Sequence, residues 1–475
     1  MNPSSHTPHF QKPRNLLASF PLILVCLLIT ALVTAFGGIL YFGIPALEKL
    51  YLWFIPRHLT PISSSYMLLG FCALGIATLI SLSNSKTWVK LLAIFIAGII
   101  IHYSFGLAKG NINFIKDRMV NTGHATYVRL AANTPSIPEF LSNFESLAKS
   151  GALGDYAPTK PPGTSLVYLF SDRLLSTVED DPKIRATRII NFSTYTWPAI
   201  SYLPVFLIFL FGRSVVGKDN AILASLLYIT IPAMNLINLH TDQTFYPLIS
   251  LLCAFTLFKA FALNKAVLAF VSGVLFFGVS YLSFGMLPLG VVFFGALLLA
   301  YRPTISLKLI PLFAIGFVLP WLILYIAFDY NHYFRYVQAL AKHHNTKGWE
   351  GTWQVFREAN TTNVVEYCVW IGLPLATCFI YGLLTSWQFF NKHRLYFLLT
   401  LSLLASLALI IMFGKTKSET ARLWMYLNPY VCLIAAVAID SLTQKSQLAR
   451  KRFVVFIALS QYAVNALILR YMDFI

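Results

Sequence analysis

VGKDNAILASLLYITIPAMNLINLHTDQTFYPLISLLCAF, residues 216–255, contains two apolar runs separated by the polar turn His240-Thr241-Asp242. Each run is close to the roughly 20 residues that a helix needs to cross the hydrocarbon of a bilayer. The stretch therefore reads as a helix that rises to one membrane face, turns and descends. The same signal recurs along the chain and predicts helices near 15–43, 65–84, 88–106, 191–212, 220–238, 243–262, 265–282, 284–301, 308–328, 364–386, 395–413, 424–440 and 453–471. The chain is 57% hydrophobic and only 11% charged, with a mean hydropathy of +0.68, against about 25% charged in soluble domains. The fold class expected is an all-α polytopic membrane protein, a bundle of about 11–13 transmembrane helices, with residues 1–475 forming a single transmembrane domain. The first run, near Leu16 to Phe42, is longer than the apolar core of a secretory signal and shows no clear cleavage site, so it reads as an uncleaved span.

Orientation follows from the short connections. Lys12/Arg14, Lys86/Lys90, Arg213/Lys218, Lys259/Lys265, Arg302/Lys308, Lys392/Arg394 and Lys445/Arg450/Lys451/Arg452 all fall on one side when spans alternate, and clustered Lys and Arg mark the cytoplasmic side. The amino terminus is expected in the cytoplasm, in an inner (plasma) membrane. Two long connections, 107–190 and 329–362, then lie outside, where long loops usually carry function. FLSNFESLAKSGAL, residues 140–153, and GIPALEKLYLWFIPRHLTP, residues 43–61, have the pattern of pieces lying along the interface. There is no internal duplication, and no pair of interrupted helices is apparent in matching positions of two halves, the pattern of many transporters.

The formal charge of +18 is spread in short groups between apolar runs, without a basic stripe, so nucleic acid is not an expected partner. Anionic headgroups of membrane lipids or a phosphate-bearing ligand account for it better. Cys26, Cys72, Cys253, Cys368, Cys378 and Cys432 sit in or beside apolar segments without metal-binding spacing and read as small buried residues.

Chemistry concentrates in four stretches. In GDYAPTKPPGTSLVYLF, residues 154–170, Pro161 and Pro162 stiffen the backbone and Gly163 permits a close turn. Lys160 is thereby held at the membrane boundary as a point charge suited to a lipid-linked phosphate, or simply as a snorkelling lysine. Asp242 stands at the mouth between two spans, a functional candidate by default or a helix cap. GKTKSETARLWMYLNPY, residues 414–430, puts Lys415, Lys417 and Arg422 outside, against the charge rule; they suit phosphate or form an exposed basic turn. DYNHYFRYVQALAKHHNTKGWEGTWQVFREAN, residues 329–360, mixes His332, Arg335, His343, His344, Trp349 and Trp353; its adjacent histidines lack helical ligand spacing, and its aromatics suit sugar contacts or interfacial anchoring.

A long outer loop with interfacial helices and a Lys-Pro-Pro motif, followed by a helical hairpin whose outer turn carries Thr241-Asp242, resembles the GT-C class of lipid-linked-sugar glycosyltransferases, which includes the protein O-mannosyltransferases and lipid A aminoarabinose transferases. The resemblance covers residues 107–262. It implies a GT-C-like bundle and an enzyme that transfers a sugar from a polyprenyl-phosphate donor to a lipid, glycan or protein acceptor. By that resemblance Lys160, Lys415 and Arg422 hold the donor's phosphate, and Tyr127, Asp155 and His240 contribute to substrate binding. The reacting cluster comprises Asp117, His124 and Asp242. NFIKDRMVNTGHATYVRLAAN, residues 113–133, departs from the family's paired acids before a tyrosine: His124 precedes Tyr127 and the nearest carboxylate is Asp117. A divalent metal is the cofactor left open, with no ligand assigned. Two other readings share these residues: a transporter or flippase of a lipid-linked saccharide, and an O-antigen ligase or polymerase.

Overall fold

The computed structural model describes residues 16–43, 61–121, 123, 125–134, 136–174, 181–236, 241–300, 303–347, 353–390, 393–413, 419–444 and 446–472. His124, His240, Trp349, Lys415, Lys417 and most of the 43–61 segment lie outside the described residues, as does the side chain of Asp242.

The described chain is helical. It begins with α1 (Leu16–Phe42), α2 (Ser64–Leu82) and α3 (Thr87–Lys109). Within the first long loop follow the short helices α4 (Ile112–Asn121), α5 (Ala125–Asn133), α6 (Ile137–Ser142), α7 (Phe144–Ser150) and α8 (Gly163–Arg173). The chain re-enters the bundle through α9 (Pro182–Tyr202), α10 (Pro204–Val215), α11 (Lys218–Tyr228) and α12 (Pro232–Leu236), then α13 (Tyr246–Leu263), α14 (Ala266–Leu282), α15 (Leu289–Ala300) and α16 (Pro303–Phe328). The second loop is α17 (His332–Lys347), and the chain ends in α18 (Trp353–Ile371), α19 (Leu373–Thr385), α20 (Arg394–Phe413), α21 (Thr420–Leu423), α22 (Asn428–Leu442) and α23 (Gln447–Tyr471). Among the described residues nine helical stretches are long and apolar enough to cross a bilayer, or up to ten if α18 and α19, bent by 113°, count as one span. α14 and the described part of α15 are apolar but shorter.

Several expected spans are not single straight helices, and two of them break at points that share partners. The 220–238 stretch breaks between Tyr228 and Pro232, and the 364–386 stretch breaks at Gly372. Gly372 has φ of 90°, a left-handed conformation that glycine adopts without a Cβ penalty, and a Cβ there would stand 1.8 Å from the Gln461 side-chain oxygen. Carbonyls freed at a break inside a bilayer need protein partners. Gln461 Nε2 donates to the carbonyl of Ile371 at 3.0 Å, and Asn465 Nδ2 donates to the carbonyl of Thr230 at 2.9 Å. Asn235 joins the same group, donating to Asn465 Oδ1 at 3.2 Å and accepting from the Tyr202 hydroxyl at 2.7 Å. Both breaks therefore meet on one face of α23.

α22 lies at the centre of the bundle, its residues from Val431 to Ala436 all fully buried. Leu24, Leu27 and Leu28 of α1 and Leu322 and Ile323 of α16 remain exposed, as a lipid-facing surface requires. α14 and α16 approach backbone to backbone: a Cβ on Gly273 would meet the Phe313 carbonyl at 2.1 Å, and one on Gly316 the Phe270 carbonyl at 2.1 Å, the close approach that small residues allow between membrane helices.

The first long loop has an apolar core of its own, separate from the bundle, built from residues including Tyr127, Phe140, Phe144, Leu153, Tyr168 and Trp197. Asp172 of α8, fully buried, fixes this unit. Arg185 Nε donates to Asp172 Oδ2 at 2.9 Å, and Arg185 also donates to the carbonyls of Ala131 and Thr134 at 2.9 and 3.0 Å. One guanidinium thus joins the end of α5, α8 and the start of α9, satisfying a buried charge and two helix-end carbonyls together. At the opposite end of the bundle Arg450 donates to Asn220 at 2.9 Å and pairs with Asp440 at 3.3 Å, joining the basic connections that the charge pattern assigned to one side.

Candidate functional site

The Lys-Pro-Pro segment is seated by close packing. Lys160 is extended, with φ of −128° and ψ of 164°, the conformation that a following proline imposes. Pro161, Pro162 and Gly163 are buried. A Cβ on Gly163 would fall 2.1 Å from the carbonyl of Tyr281, and Thr164 Oγ1 donates to the carbonyl of Leu282 at 2.8 Å. The start of α8 therefore docks directly on the end of α14, and only glycine fits at the contact.

Lys160 Nζ lies 5.6 Å from the centre of the Tyr127 ring, within reach of a cation–π contact. Tyr127 stacks on Tyr168 at 5.4 Å and 13°; Tyr168 meets Trp197 edge-on at 5.3 Å; Trp197 meets Phe245 edge-on at 5.4 Å. Phe245 closes the 3-10 turn Thr241–Phe245, which also carries the backbone of Asp242. Four rings thus connect the Lys-Pro-Pro cation to the hairpin turn. Tyr168, Trp197 and Phe245 had no signal in sequence beyond being aromatic, because the contacts between them cross three elements.

Asp117 lies elsewhere, on the exposed face of α4, where it accepts a hydrogen bond from Asn121. Asp155 is 80% exposed and stands 3.7 Å from Lys342 of α17. Arg422 pairs with Glu419 at 2.9 Å, both side chains 14% exposed. Beside them Glu366 of α18, 1% exposed, accepts from the backbone N–H of Ala421 at 3.3 Å. Sequence reading passed over Glu366, although a lone carboxylate in the apolar run VVEYCVWIG carries the signal of a functional acid in a span. α12, which precedes the hairpin turn, packs against α18, the helix that carries Glu366.

The second loop closes over the first. Arg335 of α17, 2% exposed, donates to Glu145 Oε2 at 3.1 Å and to the carbonyl of Pro158 at 3.0 Å, with its guanidinium 5.7 Å from the Phe144 ring. Burial pushes the Glu145 carboxyl above its ordinary range, and Arg335 and Lys149 pull it back. Burial likewise lowers Arg335, while Glu145 opposes the shift. His332, at the head of α17, bonds Ser280 Oγ through Nε2 at 3.0 Å and the Tyr330 hydroxyl through Nδ1 at 3.0 Å. Desolvation pushes its imidazole down to about 4, so it is neutral at physiological pH.

An open groove of about 450 Å³ runs along the start of α9, lined by Lys183, Ile184, Thr187, Arg188, Asn191 and Phe192. Among the described residues no group of three or more His, Cys, Asp or Glu side chains could hold a metal ion.

No protein-family model and no curated protein matches the chain. Among solved structures the chain is similar to the crystal structure of the Archaeoglobus fulgidus oligosaccharyltransferase in complex with Zn and sulfate, with 15% identity and a TM-score of 0.49, over 80% of this chain and 53% of that one. It is similar also to the apo form, with 13% identity and a TM-score of 0.47, over 82% of this chain and 57% of that one. The chain spans about half the length of these solved chains.

Proposed function

We propose that this chain is a membrane glycosyltransferase that moves a hexosyl or pentosyl group from a polyprenyl-phosphate donor to a lipid, glycan or protein acceptor at the outer face of the plasma membrane. The observation that supports the reading is the ring chain from Lys160 to Phe245, which joins the Lys-Pro-Pro cation to the turn bearing Asp242. In the reaction the acceptor hydroxyl gives its proton to a base and its oxygen attacks the anomeric carbon. The bond from that carbon to the phosphate oxygen breaks, and the electron pair leaves with the phosphate. Lys160 neutralises the departing phosphate, with Arg422 as a second cation, and transition-state charge of this kind is where fixed cations contribute most. Asp242 is the base in this reading; Asp117, on an exposed face and bonded to Asn121, is the weaker choice.

The test is to incubate purified protein with a radiolabelled polyprenyl-phosphate sugar and membrane lipid extract. The wild type forms a new glycosylated product, and Lys160→Ala and Asp242→Asn lose it while purifying as monodisperse protein. Full activity in both variants sinks the assignment. Movement of label across sealed vesicles without a covalent product supports the transporter instead, a reading to which the two helix breaks joined at Gln461 and Asn465 lend weight. A requirement for a diphosphate-linked oligosaccharide indicates the ligase.

A further inference from the structure

Arg335 is the most completely enclosed cation among the described residues of the two long loops, and none of its contacts is needed to hold α17 together. Its partners are Glu145 on α7, the Phe144 ring beside it, and the carbonyl of Pro158. Pro158 lies in the 3-10 turn Ala157–Thr159, and the N–H of Lys160 donates to Ala157 in the same turn at 3.1 Å. One peptide unit therefore separates the carbonyl that Arg335 grips from the residue that carries the Lys-Pro-Pro cation. Two further contacts support α17 on the first loop, Lys342 near Asp155 at 3.7 Å and Lys149 over the Phe334 ring at 5.8 Å. Both are at the periphery, where ion pairs contribute little. The buried contact is the specific one, because a guanidinium's rigid fork holds a carboxylate and a carbonyl in fixed directions, whereas a lysine's ammonium is a single point on a flexible stem.

We infer that the second outer loop is a strap on the first, and that Arg335 is a positioning residue that holds the 157–160 turn so that Lys160 faces the Tyr127 ring and the site beyond it. The consequence for phosphate binding rests on the function proposed above; the mechanical claim does not. With the strap in place the Lys160 ammonium is held in register before any donor arrives, and less ordering remains to be done on binding. Releasing the Pro158 carbonyl lets the turn move, and the cation with it.

Arg335→Lys is the informative variant, since it keeps a charge for Glu145 and loses the second arm to Pro158, whereas Arg335→Ala would leave a half-buried carboxylate without its cation and endanger folding. Two measurements are made on the full chain in detergent: hydrogen exchange of the amides from Thr159 to Ser165, and affinity for a sugar-free polyprenyl phosphate titrated into wild type, Arg335→Lys, Lys160→Ala and the double variant. The strap predicts faster exchange in Arg335→Lys, an affinity loss of about tenfold, the scale of one charge-assisted hydrogen bond, and a double variant no weaker than Lys160→Ala alone. Unchanged exchange, or losses that simply add in the double variant, overturns it. If exchange rises in Arg335→Lys while Lys160→Ala binds polyprenyl phosphate like wild type, the strap holds and the phosphate role of Lys160 fails.

Discussion

At the scale of single residues, the histidine at the head of the strap makes a pH prediction. His332 is 6% exposed, and the rings of Phe277 and Phe284 stand 5.0 Å from its own. Burial holds its imidazole at about 4 in the folded protein, against about 6.5 in an unfolded chain. Between those values the unfolded state binds the proton and the folded state does not, so stability is lost as pH falls from 6.5 toward 4, by on the order of 3 kcal/mol. Glu145, raised by burial, titrates with the opposite sign, so the comparison of variant with wild type isolates the imidazole. The thermal midpoint in detergent should fall across this window, and His332→Gln should flatten the slope; parallel slopes refute the assignment. Other residues of the site differ in how far sequence could reveal them. Lys160 was legible because prolines and a glycine on either side announce a constrained cation. Glu366 was missed, although its isolation in an apolar run was a usable signal. Arg335 and Glu145 were not legible, because 190 positions separate them and each alone reads as a solvated charge on an amphipathic helix.

Among the elements, the helix breaks make the corresponding prediction. Hydropathy identified each apolar stretch as helical, and the thirteen expected positions all contain helix, but a window average cannot register one residue at which the backbone turns. Gly372 and the Tyr228–Pro232 gap were therefore read through. The residues that make the breaks tolerable lie far away on α23, as two polar side chains on a helix whose other buried residues are apolar. Gln461→Leu leaves the Ile371 carbonyl without its 3.0 Å donor in a region without water, at a cost of about 1–3 kcal/mol. Its thermal midpoint should fall, and Asn465→Leu, which strips the Thr230 carbonyl, should do the same. Because Gln461 Nε2 also donates to the hydroxyl of Thr230 at 3.4 Å, the residue whose carbonyl Asn465 serves, the two losses should combine to less than their sum. Additive losses would mean that the breaks are satisfied independently; no loss in either variant would mean that these bonds do not hold the breaks at all.

For the whole molecule, the two ends of the bundle differ in kind. One end carries the first loop, the hairpin turn and the strap, where Asp172 with Arg185 and Glu145 with Arg335 form enclosed pairs. The other carries Lys86, Lys90, Arg213, Lys218, Lys265, Arg450 and Lys451 in short connections, with Asp219 and Asp440 as nearby acids. That division is the structural counterpart of the charge pattern, since α2 starts beside the end of α3, where Ser63 N–H donates to Ala108 at 2.9 Å, and α11, α22 and α23 meet at Arg450. From the positive-inside rule we propose the direction, with the basic end in the cytoplasm and the loop end outside, and this direction is open to a chemical test. In a background with the six native cysteines replaced, Ser150→Cys on the first loop and Lys218→Cys at the basic end both introduce exposed thiols. A membrane-impermeant maleimide added to right-side-out vesicles should label Ser150→Cys at once and Lys218→Cys only after permeabilisation. The reverse pattern inverts the molecule and moves the site to the cytoplasm, where a different pool of lipid-linked sugars would be its donor. Labelling of both from one side breaks the alternation of spans, and with it the grouping of the basic connections on a single face.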